Sequence, residues 1–96
     1  MKFFYAYILA SKRNGTLYAG STDNLSARVW QHKEKVFKGF TEKYNVDRLV
    51  WFETHETREA AFKREHQIKE WKRVWKLELI EATNPDWEDL FETLNQ

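Results

Sequence analysis

Two tyrosines, an arginine, a histidine, a glutamate and an asparagine have side chains of the types that chemistry on a phosphate uses: Tyr7, Tyr18, Arg28, His32, Glu65 and Asn84. Phosphoryl transfer needs a fixed cation beside the phosphate, a group that handles a proton, and often a carboxylate that holds a metal. Arg28 and His32 are four residues apart, so a helix puts them on one face. The Arg fork binds phosphate oxygens in pairs, and an imidazole moves a proton near neutral pH. A solvated Arg-His pair is the plainer reading of these two alone. Glu65 lies about 40° from Ala61 and about 60° from Ile68 on a helical wheel, at the border of an apolar stripe that would run on to Trp75. Lys63, Arg64 and Lys69 are read as pointing elsewhere, which leaves a carboxylate in need of a cation or metal. A structural bridge from Glu65 to Arg28 or a tyrosine accounts for it equally well. Asn84 has a plain alternative too, since Asn-Pro-Asp is a common helix start.

The elements that must position these residues follow from local pattern. Residues 3–10 read as a strand rich in Phe, Tyr, Ile and Leu, and 16–20 as its return after an Asn14-Gly15 turn. A two-residue turn pairs Tyr18 with Ser11, and a longer loop pairs Tyr18 with Tyr7. Both registers put the two phenols on one face, because side chains alternate along a strand. Packing against a helix would explain both tyrosines without chemistry. A helix from about 23 to 36 follows, with Leu25, Val29 and Trp30 as apolar contacts. Residues 48–53 form a third strand, and Thr57 caps a longer helix over 58–72. Residues 73–81 either continue that helix or form a separate extension. Asn84-Pro85 is expected to begin a last short helix. The result is an α+β fold: a small three-stranded antiparallel sheet flanked by helices, in the order β-β-α-β-α plus a C-terminal helix.

Composition narrows the classes. Ninety-six residues suffice for one small domain, 1–96. There is no cysteine, which excludes disulfides and thiolate metal sites and points to a cytoplasmic setting. The apolar run at the N-terminus is far shorter than the ~20 residues that span a bilayer, so no membrane role is expected. All sixteen Lys and Arg lie in residues 1–76 against nine acids there, a balance of +7, whereas 77–96 carry six acids and no base. A polyanion would be drawn to the first part and repelled by the tail. A basic helix paired with an acidic one explains the same split. No His/Asp cluster has zinc spacing, and no Gly-rich phosphate loop or nucleophile elbow occurs. An interaction surface built from Trp51, Trp71, Trp75 and Trp87 is a further reading.

Taken in order, these residues resemble the GIY-YIG nuclease superfamily, and the match runs from Phe3 to about Trp87. The first element reads Tyr5-Ala6-Tyr7 and the second Tyr18-Ala19-Gly20. Arg28 and His32 follow on a helix, Glu65 on a later one, and Asn84 near the end. The leading Gly of the first element is Tyr5 here, and the central Ile of the second is Ala19. The likeness is strongest to small bacterial members with a URI-type domain. It implies a metal-dependent endonuclease that hydrolyses phosphodiester bonds in DNA through one Mg²⁺ (or Mn²⁺), a chemistry used in DNA repair. Glu65 would be the metal ligand, Arg28 would steady the phosphate, Tyr7 or Tyr18 would activate water, and His32 would relay a proton. The partner is expected to be nucleic acid, DNA above all. The alternative is a non-catalytic nucleic-acid-binding module of the same fold.

Overall fold

The run Phe4–Ala10 forms strand β1 and takes the centre of a three-stranded antiparallel sheet in the order β2-β1-β3. Its near-continuous apolar character suits burial on both faces. Strands β2 (Leu17–Thr22) and β3 (Arg48–His55) form the edges. Between them lie helix α1 (Leu25–Lys33) and a short α2 (Phe40–Lys43), and after β3 come α3 (Arg58–Glu70), α4 (Arg73–Thr83) and a 3-10 helix, Leu90–Asn95. The computed structural model describes residues 2–95. The α+β architecture agrees with the order expected from sequence, with α2 added inside the stretch 37–46.

Alternation along β1 divides the core in two. Ala6, Ile8 and Ala10 pack with Ile68 of α3, Ile80 of α4 and Trp87. Tyr7 and Leu9 face the other way, onto Leu25 and Val29 of α1. Between β1 and β3 the register slips at Ile8/Leu9, so Val50 is an extra residue on β3. That bulge lets the consecutive residues Val50 and Trp51 join the same core cluster.

Several boundaries differ from the sequence expectation. Gly20 does not end β2, which runs on to Thr22 because Gly20 is itself paired in the ladder, opposite Tyr7. The register is neither of the two considered: Tyr18 pairs with Leu9, across a loop that includes a turn closed by Gly15 N–H donating to Lys12 O. Tyr7 and Tyr18 therefore share a face as diagonal neighbours. Trp30, expected to pack, is exposed. The long helix stops at Glu70, where Trp71 and Lys72 turn to extended backbone, and α4 begins afresh at Arg73. Trp75 thus leaves the stripe of Ala61 and Ile68 and is half-exposed on α4. No Gly or Pro marks this break. Trp71 is held instead by the core cluster it packs on and by the Arg64 guanidinium 5.2 Å from its ring.

Asn84-Pro85 stops a helix and does not start one. Asn84 is the C-cap of α4, its N–H donating to Ile80 O at 2.8 Å, and the proline follows the end. The chain then turns through Trp87, which is fully buried, and its indole N–H donates to Glu81 at 2.7 Å. Of the four tryptophans considered as an interaction surface, Trp51 and Trp87 belong to the core. The acidic tail lies against the β3 side: Asp89 accepts from the Leu49 N–H at 3.2 Å and pairs with Lys33 of α1. Among the described residues, no helix is long and apolar enough to cross a membrane.

Candidate active site

Tyr7 sits in the middle strand, 1% exposed, and its phenol reaches toward the β2 edge over Gly20. A Cβ at position 20 would stand 2.5 Å from the Tyr7 hydroxyl and 2.6 Å from its ring carbon. Gly20 is therefore required by the close approach of a buried side chain with no room to retreat. Gly20→Ala is expected to cost about 1–3 kcal/mol, a fall of roughly 5–15 °C in a thermal melt. A melt unchanged within a degree would mean that Tyr7 can swing aside. Burial pushes the Tyr7 phenol well above the usual tyrosine range, and the neighbouring Tyr18 and Glu65 push it the same way. The Arg28 guanidinium opposes them through its charge and a hydrogen bond.

Helix α1 brings up the second group. Asn24 caps it, its side chain accepting from the Ala27 N–H at 3.2 Å, and Leu25 and Val29 bury its inner face. Arg28 lies beside Tyr7 with its guanidinium 5.1 Å above the Phe37 ring. His32, one turn on, is buried, with its ring centre 5.5 Å from that of Tyr18 and 6.4 Å from that of Tyr7. Its Nδ1 meets the Thr41 hydroxyl of α2 at 3.1 Å, and its Nε2 has no partner among the described residues. Burial first, and the Arg28 charge second, hold the imidazole below the ordinary histidine range, so it is neutral.

That shift has a consequence for stability. Below the unfolded value of about 6.5 the open chain takes up a proton that folded His32 refuses. Stability from this residue is therefore complete above that pH and falls as the solution is acidified. Melts between pH 7 and pH 5 are expected to show a steeper loss for the wild type than for His32→Asn. Equal slopes would place the titration elsewhere.

Glu65 approaches the same edge from the opposite face of the sheet. Thr57 caps α3, accepting from the Ala60 N–H at 3.1 Å, and Ala61, Glu65 and Ile68 form its buried side. The carboxylate is 8% exposed but is not without a local partner, as the sequence had suggested. Ser21 of β2 donates to its Oε1 at 2.6 Å, and the Lys69 ammonium, one turn along α3, forms an ion pair with its Oε2 at 2.5 Å. A spacing of four residues on a helix sets two side chains side by side, so Lys69 does not point elsewhere. Tyr18 lies where the two faces meet. It lines one cavity with Ile8, Ile68 and Lys69, and another with Arg28, His32 and Thr41.

Asn84 is not brought to this group. Its amide donates to Val50 O at 3.1 Å and to Glu88 O at 2.9 Å, and accepts from the Glu88 N–H at 3.0 Å. Those bonds fasten the end of α4 to β3, the other edge of the sheet, and leave the side chain fully engaged.

Residues 3–78 match the family model described as the GIY-YIG catalytic domain. The chain belongs to the GIY-YIG family. Among GIY-YIG relatives, a UPF0213 protein of Clostridium perfringens is 34% identical over 91 residues, 95% of this chain and 97% of that one. A UPF0213 protein of Staphylococcus aureus is 35% identical over 80 residues, 83% of this chain and 96% of that one. The solution structure of a UPF0213 protein from Bacillus halodurans aligns with a TM-score of 0.56 at 25% identity, covering 91% of this chain and 92% of that one.

GIY-YIG nucleases act with a divalent metal, and the donors here fit one held loosely. Among the described residues no three His, Cys, Asp or Glu side chains converge. A single carboxylate with waters and substrate oxygens is a usual Mg²⁺ arrangement. Glu65 Oε1 accepts one hydrogen bond, from Ser21, and keeps a lone pair free, while Oε2 is paired with the Lys69 ammonium. Sequence reasoning missed Ser21, Thr41 and Lys69. The spacing of Glu65 and Lys69 was a usable signal for the last. Nothing local announces that Thr41 of α2 would face His32.

Proposed function

We propose that this chain is a metal-dependent endonuclease that hydrolyses phosphodiester bonds in DNA, with Glu65 as the protein ligand for one Mg²⁺ or Mn²⁺. The reading takes 1–96 as one nuclease domain working in the cytoplasm. One observation carries it: Tyr7, Tyr18, Arg28, His32 and Glu65 come from four elements to a single edge of the sheet. Membership of the family supports the reaction class.

The bound cation supplies Lewis-acid stabilisation of the leaving oxygen and of the charge on the phosphate. The chain's own residues do the rest. Arg28, held 5.1 Å over the Phe37 ring and beside Tyr7, offers N–H donors to the transferring phosphate. Tyr7 orients that guanidinium. Its raised phenol keeps its proton, and releasing a tyrosine proton at pH 7 costs roughly 4 kcal/mol even for an ordinary group. Tyr18 is half-exposed and lines both cavities, so it is the phenol that can reach the attacking water. The Nε2 of His32 is buried without a partner among the described residues, and with its proton on Nδ1 the ring can accept a hydrogen bond from the Tyr18 phenol, 5.5 Å away between ring centres.

A non-catalytic nucleic-acid-binding module is the second reading, favoured by the Ser21 hydrogen bond and the Lys69 ion pair that already engage Glu65. Incubation with supercoiled plasmid separates the two. The nuclease reading expects nicked circles that accumulate with Mg²⁺ or Mn²⁺ and vanish with EDTA. Retarded but intact plasmid under every metal condition would favour the binding module.

A further inference from the structure

We infer that Lys69 is a resident counter-ion for Glu65 that a divalent cation must displace. This rests on the reading of Glu65 as the metal ligand. The Glu65 carboxylate is nearly buried, and a buried anion needs a compensating positive charge. The Lys69 ammonium supplies one at 2.5 Å. Ser21 contributes only a neutral hydrogen bond on the other oxygen. The two partners differ in freedom. The Lys69 side chain is 44% exposed against 10% for that of Glu65, so the ammonium can leave while the carboxylate stays.

There is also somewhere for it to go. Lys69 lines a cavity of about 220 Å³ together with Tyr18, Leu17, Phe40 and Lys76, and its nitrogen already lies 5.9 Å from the centre of the Tyr18 ring. An ammonium and a dication on one carboxylate repel each other strongly at contact distance. Occupation by metal and pairing with Lys69 are therefore mutually exclusive. The lysine keeps the metal-free fold stable and weakens metal affinity by the free energy of its own pair. On release, its charge stands beside Tyr18, where a substrate phosphate can take it up.

Mn²⁺ titrations followed by electron paramagnetic resonance test this without turnover, in wild type, Lys69→Met, Lys76→Met and Glu65→Gln. Met keeps the aliphatic stem that covers the helix. Lys69→Met is expected to bind Mn²⁺ about five- to tenfold tighter, the scale set by a half-exposed ion pair. Lys76→Met controls for the loss of a nearby charge and is expected to change affinity less than about twofold. Metal-free Lys69→Met is also expected to melt lower than wild type and to gain more from added Mn²⁺. Equal or weaker Mn²⁺ binding by Lys69→Met, or equal tightening by both lysine variants, overturns the inference. Should Lys69→Met fold poorly, Lys69→Gln gives the same comparison with a polar side chain. Glu65→Gln separates the two levels: unchanged binding there removes Glu65 as the ligand, whereas lost binding there with no Lys69 effect removes only the counter-ion role.

Discussion

Glu65→Gln is expected to abolish metal-dependent nicking while the protein keeps its fold. The amide preserves the shape of the side chain and can still accept from Ser21, whose hydroxyl lies 2.6 Å from Oε1. What it lacks is the charge that holds a cation. Losing the metal's contribution to the transition state removes several kcal/mol; at about 4 kcal/mol, turnover falls roughly a thousandfold. Stability should change much less. The lost ion pair involves a half-exposed lysine, and such pairs contribute about 1 kcal/mol or less. Nicking rates at several Mn²⁺ concentrations, beside thermal melts, measure both. Normal turnover at ordinary Mn²⁺ would exclude Glu65 from the chemistry. A variant rescued by much higher Mn²⁺ would keep it as a ligand of lesser weight.

Arg28→Ala should slow the reaction about 100- to 1,000-fold, mainly through kcat, as loss of a fixed transition-state donor does. Affinity for DNA at fixed salt should change far less, because one cation among sixteen contributes little to general attraction. Arg28→Lys is expected to restore only a small part, since a single ammonium lacks the paired donors of the guanidinium that lies over Phe37. The same removal frees the Tyr7 phenol from the charge that favours its anion. A variant with normal kcat and weakened DNA binding would make Arg28 a ground-state contact.

The parts of this protein that repeat a local pattern were legible in its sequence. The apolar run of β1, the cap at Thr57, and the shared face of Arg28 and His32 all follow from local pattern. The elements around Tyr7 and Tyr18 were legible through their resemblance to the family. Features set by distant contacts were not legible. The β1–β2 register depends on how a four-residue excursion closes, and Asn14-Gly15 signals a turn without fixing its length. The break at Trp71-Lys72 carries no breaker residue and is held by tertiary packing of an indole. Asn-Pro serves equally at either end of a helix, and the interior contacts of Trp87 and Val50 decide which. Glu65 was correctly read as bordering the core, but its partners were not found: one comes from another strand, and the other was taken to project away.

The decisive test of a cation at the β2 edge is paramagnetic broadening by Mn²⁺ in the two-dimensional ¹H–¹⁵N NMR spectrum of the full chain. The account predicts early and selective loss of the amide signals of Gly20, Ser21 and Glu65, with those of Asn84 and Val50 spared, and no such selectivity in Glu65→Gln. Broadening confined to the acidic stretch 77–96, or a pattern around Gly20 that persists unchanged in Glu65→Gln, would contradict it.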